Sequence, residues 1–296
     1  MKSLTHYIIA TVIKLKGIKK TFSELPIDYQ KLRKDDIHSP SKKDVLGLEF
    51  QSFMIKKSKI TEIIPKEKPS ENIIMYCHGG ASISGPSDLH WNRIAQIVKH
   101  TNIKAFLVDY PKAPEHQIIE INENIDAVYN DILTKYSSKN IILLGDSAGG
   151  MFLILLVQRL IKNNKPLPKS IILLSPVLDA SMTNPAIENI DKLDIMLSRK
   201  GVLSAKTMCA GNLSLQSYVI SPIYGSFKNF ISTYLFTATH DIMYPDSELF
   251  IQKMRDENIP THVYVGEGMP HIWAFLPVMR EAKKALNQIV DILKKI

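Results

Sequence analysis

The chain has 296 residues, of which 45% are hydrophobic and 22% charged, a balance typical of a globular protein with a sizeable core. Two cysteines are too few for a disulfide framework, and no CxxC or Cys/His pattern predicts a metal site, so we expect a reducing, cytoplasmic setting. The formal charge is +8, and residues 1–70 hold most of it, with 15 Lys/Arg against 8 Asp/Glu. Because no nucleic-acid motif or interleaved aromatic residues accompany this charge, we expect no nucleic-acid partner.

The first predicted element is the N-terminal stretch MKSLTHYIIATVIKLKG. Its apolar core, Tyr7 to Ile13, is too short to span a bilayer, and no small-x-small cleavage site follows it. An amphipathic helix fits, either packed on the domain or in weak peripheral contact with an anionic membrane. A solvated, lysine-rich surface is the other interpretation. Residues 1–45 are predicted to be helical and polar, and we interpret them as an N-terminal cap segment.

Strand-like and helix-like segments alternate over residues 46–296. Two strand-like segments, LGLEFQSFMI and KITEII, come first, and NIIMYC is a continuous apolar run typical of a strand buried on both faces. Five more helices and five more strands follow in alternation, and this rhythm predicts an α/β fold with a mainly parallel central sheet flanked by helices. Residues 180–216 interrupt the alternation, and we interpret them as a helical cap insertion over the sheet's carboxyl edge.

The loop that follows NIIMYC has the sequence HGGASISG and begins with His78. Glycine is placed where the backbone bends unusually or lies against another group. A loop of this HGG type, after an early strand, supplies backbone N–H donors that stabilise an oxyanion. We predict the amides of Gly79 and Gly80 as donors, and His78 as a brace for the loop. Taken alone, the loop could also be an ordinary turn.

A second motif, G-x-S-x-G, lies in IILLGDSAGG between a buried strand and a buried helix. This context is typical of a nucleophile elbow, in which small residues permit a sharp turn that exposes the serine hydroxyl. We predict Ser147 as the nucleophile and the N–H of Ala148 as a third oxyanion donor. The remaining members of the motif are predicted to support the turn: Gly145, Asp146 and Gly149.

A serine hydroxyl needs a base to remove its proton, usually a histidine oriented by a carboxylate. In α/β-hydrolases these residues follow the serine in the order acid, then histidine. Asp241 ends the strand STYLFTAT and His271 follows the strand THVYVGEG, so we predict Asp241 as the acid and His271 as the base. Asp179 is an alternative acid, because it follows the strand SIILLS. Asp246 is predicted to be the N-cap of the next helix.

These motifs together resemble those of the hormone-sensitive-lipase-like family of α/β-hydrolases, which includes bacterial acetyl esterases and carboxylesterases. The resemblance runs from about residue 72 to 275 and is carried by HGGASISG, DYPKAPEH, GDSAGG, SPVLD, SPIYG, Asp241 and His271. It implies a capped α/β-hydrolase fold without a cofactor, acting on small carboxylic esters. Two positions depart from the family pattern, because Ala81 stands where a third glycine is usual and Ser82 where an aromatic residue often follows.

The sequence therefore predicts a serine esterase that hydrolyses short-chain, acetyl-type esters through an acyl-enzyme intermediate. Two alternatives share the fold: a peptidase or amidase using the same triad, and a non-catalytic ligand binder. Neither the natural ester nor the oligomeric state follows from the residues.

Overall fold

The computed structural model describes residues 2–40 and 47–296. Within these ranges, eight strands form one sheet. Their bounds are β1 Leu48–Ile55, β2 Ser58–Pro65, β3 Ile73–Cys77, β4 Lys104–Asp109, β5 Ile141–Asp146, β6 Ser170–Leu174, β7 Thr233–Ala238 and β8 Thr261–Gly266. The order across the sheet is β1-β2-β4-β3-β5-β6-β7-β8.

The sheet is mainly parallel, as predicted. β2 pairs antiparallel with both β1 and β4, whereas every pairing from β4 to β8 is parallel. β3, β4, β5 and β6 are almost wholly buried, which explains their continuous apolar sequences. The prediction of an α/β-hydrolase fold is confirmed.

The described helices are α1 Leu4–Leu15, α2 Ile18–Thr21, α3 Tyr29–Leu32, α4 Asp88–Thr101, α5 Ile118–Leu133, α6 Ala148–Lys162, α7 Ile187–Asp191, α8 Arg199–Ala210, α9 Tyr244–Asp256 and α10 Arg280–Lys295. Two apolar clusters cover the two faces of the sheet. α4 and α10 pack in one cluster, and α5, α6 and α9 pack in the other. None of the described helices combines the length and the apolar character needed to cross a bilayer.

The N-terminal helices and the 180–216 segment lie against each other. The N–H of Ile27 donates to Ser204 Oγ at 3.1 Å, and Lys19 Nζ donates to the carbonyl of Asp194 at 2.9 Å. A Cβ at Gly201 would overlap the carbonyl oxygen of Phe22, so α8 meets this backbone closely. These contacts are compatible with a two-part cap, which remains a prediction, and the boundary predicted between residues 45 and 46 lies outside the described residues.

Candidate active site

Ser147 occupies a sharp turn between β5 and α6. Its backbone has φ 50° and ψ −119°, a conformation that is strained for any residue with a side chain. Two hydrogen bonds fix the turn: the N–H of Ser147 donates to the carbonyl of Leu174 at 2.8 Å, and its carbonyl accepts from the N–H of Val177 at 3.1 Å. The end of β6 therefore holds the serine in the geometry expected of a nucleophile elbow.

Gly145 and Gly149 permit this turn because their neighbours leave no room for a side chain. A Cβ at Gly145 would lie 2.8 Å from the backbone nitrogen of Gly150. A Cβ at Gly149 would overlap the carbonyl oxygen of Cys77, at the end of β3. Close contact of the first turn of α6 with the end of β5 thus explains Gly145, and its contact with the end of β3 explains Gly149.

Asp146 joins the elbow to the HGG loop. Its Oδ1 accepts hydrogen bonds from the hydroxyl of Tyr76 at 2.6 Å and from the N–H of Gly79 at 3.0 Å. Burial acts to raise the pKa of this carboxyl, but His90, which lies 3.6 Å from Oδ2, and the Tyr76 hydroxyl hold it below its usual value. The buried carboxylate therefore stays ionised and fixes the loop against the turn that carries Ser147.

The contact with Asp146 corrects one sequence prediction. An amide carries a single hydrogen, and that of Gly79 is directed at Asp146, so Gly79 is not an available oxyanion donor. In contrast, the N–H groups of Gly80, Ala81 and Ala148 donate to no acceptor in the described part of the chain. Gly80 and Ala81 both have positive φ, 112° and 55°, which turns the loop backbone sharply here.

His78 contacts the loop itself. Its Nδ1 lies 2.6 Å from the carbonyl oxygen of Gly79, which can only accept, so Nδ1 carries the proton. Its ring stacks on Tyr110 at 4.4 Å between centroids, and the Tyr110 hydroxyl donates to the carbonyl of His78 at 2.8 Å. Burial lowers the pKa of His78 to about 4, so the ring is neutral at pH 7. These contacts fit the predicted bracing role.

His271 and Asp241 form a buried pair. His271 Nδ1 donates to Asp241 Oδ2 at 2.9 Å, which leaves Nε2 as the nitrogen able to accept a proton. Burial lowers the pKa of His271, but the charge and hydrogen bond of Asp241 outweigh it and place this pKa above the ordinary value. Asp241 Oδ1 also accepts from the N–H of Met243 at 3.0 Å, which fixes the carboxylate.

The alternative acid, Asp179, is occupied elsewhere. Its oxygens accept from the hydroxyls of Ser181, Thr183 and Tyr224 at 2.5 to 3.1 Å.

The N-cap prediction for Asp246 is wrong, because α9 begins two residues earlier and its N-cap position is Met243. Asp246 instead accepts from the side-chain amide of Asn184 at 2.9 Å and joins α9 to the 180–216 segment.

Asp194 lies beside the pair and was missed by the sequence analysis. Its Oδ2 accepts from the N–H of Ile242, next to Asp241, at 3.1 Å, and its Oδ1 accepts from the N–H groups of Met196 and Leu197. Burial and the neighbouring charge of Asp241 raise the pKa of Asp194. A second carboxyl group thus supports the loop that carries Asp241, and no motif marks it, because it belongs to the 180–216 segment.

Ser147, His271 and Gly80 line one cavity of about 230 Å³. Residues from the two predicted cap segments also line it, among them Phe22 and Leu32 from the N-terminal segment and Val202 and Lys206 from α8. Most of the lining is apolar, which suits a small organic substrate. Within residues 2–40 and 47–296, no group of three or more His, Cys, Asp or Glu side chains could hold a metal ion.

Comparisons with known proteins agree with this geometry. A family model described as an alpha/beta hydrolase fold matches residues 74–275. An esterase from Acinetobacter venetianus is 28% identical over 233 residues, which are 78% of this chain and 77% of that protein. A triacylglycerol lipase from Mycobacterium tuberculosis is 23% identical over 238 residues, which are 80% of this chain but only 50% of that protein.

A solved structure of an esterase from the bacterial hormone-sensitive lipase family has the same fold, with a TM-score of 0.87 at 21% identity over 100% of this chain and 99% of that one. The resemblance to hormone-sensitive-lipase-like α/β-hydrolases is confirmed. Because the family model matches well over half of its residues, the chain belongs to the α/β-hydrolase family.

Proposed function

We propose that this chain is a serine esterase that hydrolyses small carboxylic esters with short acyl chains through an acyl-enzyme. The observation that carries the proposal is the strained Ser147, which lines the same cavity as a histidine already oriented by a buried carboxylate. The relatives named esterase and triacylglycerol lipase support ester hydrolysis in general. The small volume of the cavity supports short acyl groups.

In the proposed reaction, His271 Nε2 takes the proton of the Ser147 hydroxyl as its oxygen attacks the ester carbonyl. The amides of Gly80, Ala81 and Ala148 stabilise the resulting oxyanion, each donor contributing about 3–4 kcal/mol. His271 then protonates the leaving alcohol, the tetrahedral intermediate collapses, and an acyl group remains on Ser147. A water molecule, deprotonated by His271, releases the acid by the reverse sequence.

An ester-versus-amide comparison tests this assignment. We expect the purified protein to hydrolyse p-nitrophenyl acetate and butyrate, to hydrolyse p-nitrophenyl decanoate more slowly, and to leave the matched p-nitroanilides nearly untouched. The reasons are the small cavity and the poorer leaving group of an amide. Faster turnover of the anilides would favour the peptidase or amidase alternative, and no turnover of any substrate would favour the ligand binder.

We also propose that α1 makes weak peripheral contact with anionic membranes. Its buried residues, His6 and Ile13, lie on one face, and the opposite face exposes a helical stripe of apolar side chains: Leu4, Tyr7, Ile8, Val12 and Leu15. Lys14 and Lys16 are exposed beside this stripe. An apolar stripe flanked by lysines is typical of a helix that lies at the surface of an anionic bilayer.

We further propose a reducing, cytoplasmic location, because both cysteines are free and buried.

Flotation with liposomes tests the membrane contact. We expect the protein to float with vesicles containing phosphatidylglycerol, and binding to weaken in high salt because screening reduces the lysine contribution. The double substitution Ile8→Glu with Leu15→Glu is expected to abolish binding, whereas Met54→Glu, at an exposed apolar position on β1, is the matched control. Equal flotation of both variants would contradict a role for the stripe.

A further inference from the structure

Lys206 is a charged side chain in an unusual place. It lies on α8 of the cap, it is fully buried, and it lines the cavity that contains Ser147 and His271. Lysine is rarely buried in this way without a carboxylate partner, because an unpaired charge loses its hydration. Lys206 therefore needs an explanation that the proposed triad does not supply.

The protein surroundings leave this ammonium group without a counter-ion. Its Nζ donates to Ser82 Oγ at 2.9 Å, and among the described residues it forms no ion pair. Three carboxylates line the same cavity, and none of them forms a salt bridge with this ammonium group: Asp35, Asp36 and Asp146. At least one N–H bond of the ammonium is thus left for another acceptor.

The partner, Ser82, belongs to the loop that carries the oxyanion donors. It is fully buried with φ 73°, and its carbonyl accepts from the N–H of Ala113 at 2.9 Å, so its position is fixed. Of the two hydrogen-bonded residues Lys206 and Ser82, only Lys206 lines the cavity.

We infer that Lys206 binds a carboxylate of the substrate, so the preferred esters are those that carry an anionic group on either the acyl or the alcohol part. The inference rests on the proposed esterase function. A carboxylate would supply the missing counter-charge and accept the free N–H of the ammonium group. Burial lowers the pKa of Lys206 to about 8, which leaves the side chain mostly charged at pH 7.

Two pairs of esters test the inference, one for each source of the carboxylate. The acyl pair is mono-p-nitrophenyl adipate against p-nitrophenyl hexanoate, and the alcohol pair is p-acetoxybenzoate against its methyl ester. For each pair the measured quantity is the ratio of kcat/KM, anionic to neutral. In at least one pair we expect this ratio to fall about ten- to a hundredfold in Lys206→Met, as loss of a charge-assisted hydrogen bond predicts.

Three further variants separate substrate binding from a structural role. Lys206→Arg keeps the charge and is expected to retain the preference, and Ser82→Ala removes the bracing contact but not the ammonium group. Lys200→Met removes an exposed lysine of the same helix and controls for the general positive charge. If Lys206 only braces the loop, Lys206→Met and Ser82→Ala will lower both members of each pair in parallel, which would overturn the inference.

The wild-type protein alone also gives a decisive result. If it hydrolyses the neutral esters but shows no preference for an anionic member, the inference fails while the proposed esterase function stands. If it hydrolyses none of the four esters, the proposed function itself has failed. Should Lys206→Met not fold, the wild-type ratios and those of Lys206→Arg still decide between these outcomes.

Discussion

Replacing Ser147 by alanine is expected to reduce kcat for p-nitrophenyl butyrate by a factor of about 10⁶, nearly to the background rate. The side chain at this position supplies the attacking oxygen, and no other hydroxyl is placed at the elbow between β5 and α6. Alanine keeps the Cβ in the same strained backbone, so the fold should be retained. The measurement is steady-state hydrolysis, together with circular dichroism to confirm folding.

The matched control for this variant is Ser137→Ala, which changes an exposed serine that precedes β5, whereas the elbow follows the other end of that strand. It should hydrolyse the ester at the wild-type rate. If Ser147→Ala retained more than a few per cent of the wild-type rate after careful purification, attack by the Ser147 oxygen would be ruled out as the main route.

The second large effect is expected for Asp241→Asn, with a fall in kcat of about 10⁴-fold. The asparagine amide would face His271 Nδ1 as a donor, so the imidazole would adopt the wrong tautomer for accepting the serine proton. The positive charge that His271 gains during the reaction would also lose its buried partner, which lies 2.9 Å away. Asp179→Asn, at the alternative acid, is the control and should keep most of the activity.

Asp241→Asn is also expected to change the pH dependence of kcat/KM. Catalysis needs neutral His271, so kcat/KM should fall as the pH drops below the pKa of this residue, which lies above 6.5 in the wild type. Asp241 is the main group that raises it against the effect of burial. The midpoint in Asp241→Asn should therefore move to lower pH, and an unchanged or higher midpoint would contradict the pairing.

Much of the fold could be predicted because the buried strands are continuous apolar segments with helices between them. The turn at Ser147 was recognisable for a local reason, since only glycines fit beside Cys77 and Gly150. The order of serine, acid and histidine along the chain narrowed the choice of partners. The structure then joins Asp241 to His271 and shows Asp179 bound to hydroxyl groups instead.

Other features could not be predicted because they depend on long-range contacts. Whether the amide of Gly79 is free to bind an oxyanion depends on its hydrogen bond to Asp146, which lies 67 residues away in the chain. Asp194 and Lys206 lie in the 180–216 segment, whose sequence carries no motif, and their surroundings form only when this segment packs against the rest of the fold. Nothing in the sequence distinguishes Lys206 from the other lysines, and only the structure shows that it is buried at the cavity.

We propose that the imidazole of His271 makes the Ser147 hydroxyl nucleophilic, and that the nearby amide hydrogens stabilise the oxyanion formed when it attacks. The most direct test is to treat the native wild-type protein with a fluorophosphonate probe and locate the label by peptide mass spectrometry. We expect a single modified site, Ser147, with labelling that is lost in His271→Ala and after heat denaturation. Labelling of a different residue, or no labelling of protein that is folded and pure, would contradict it.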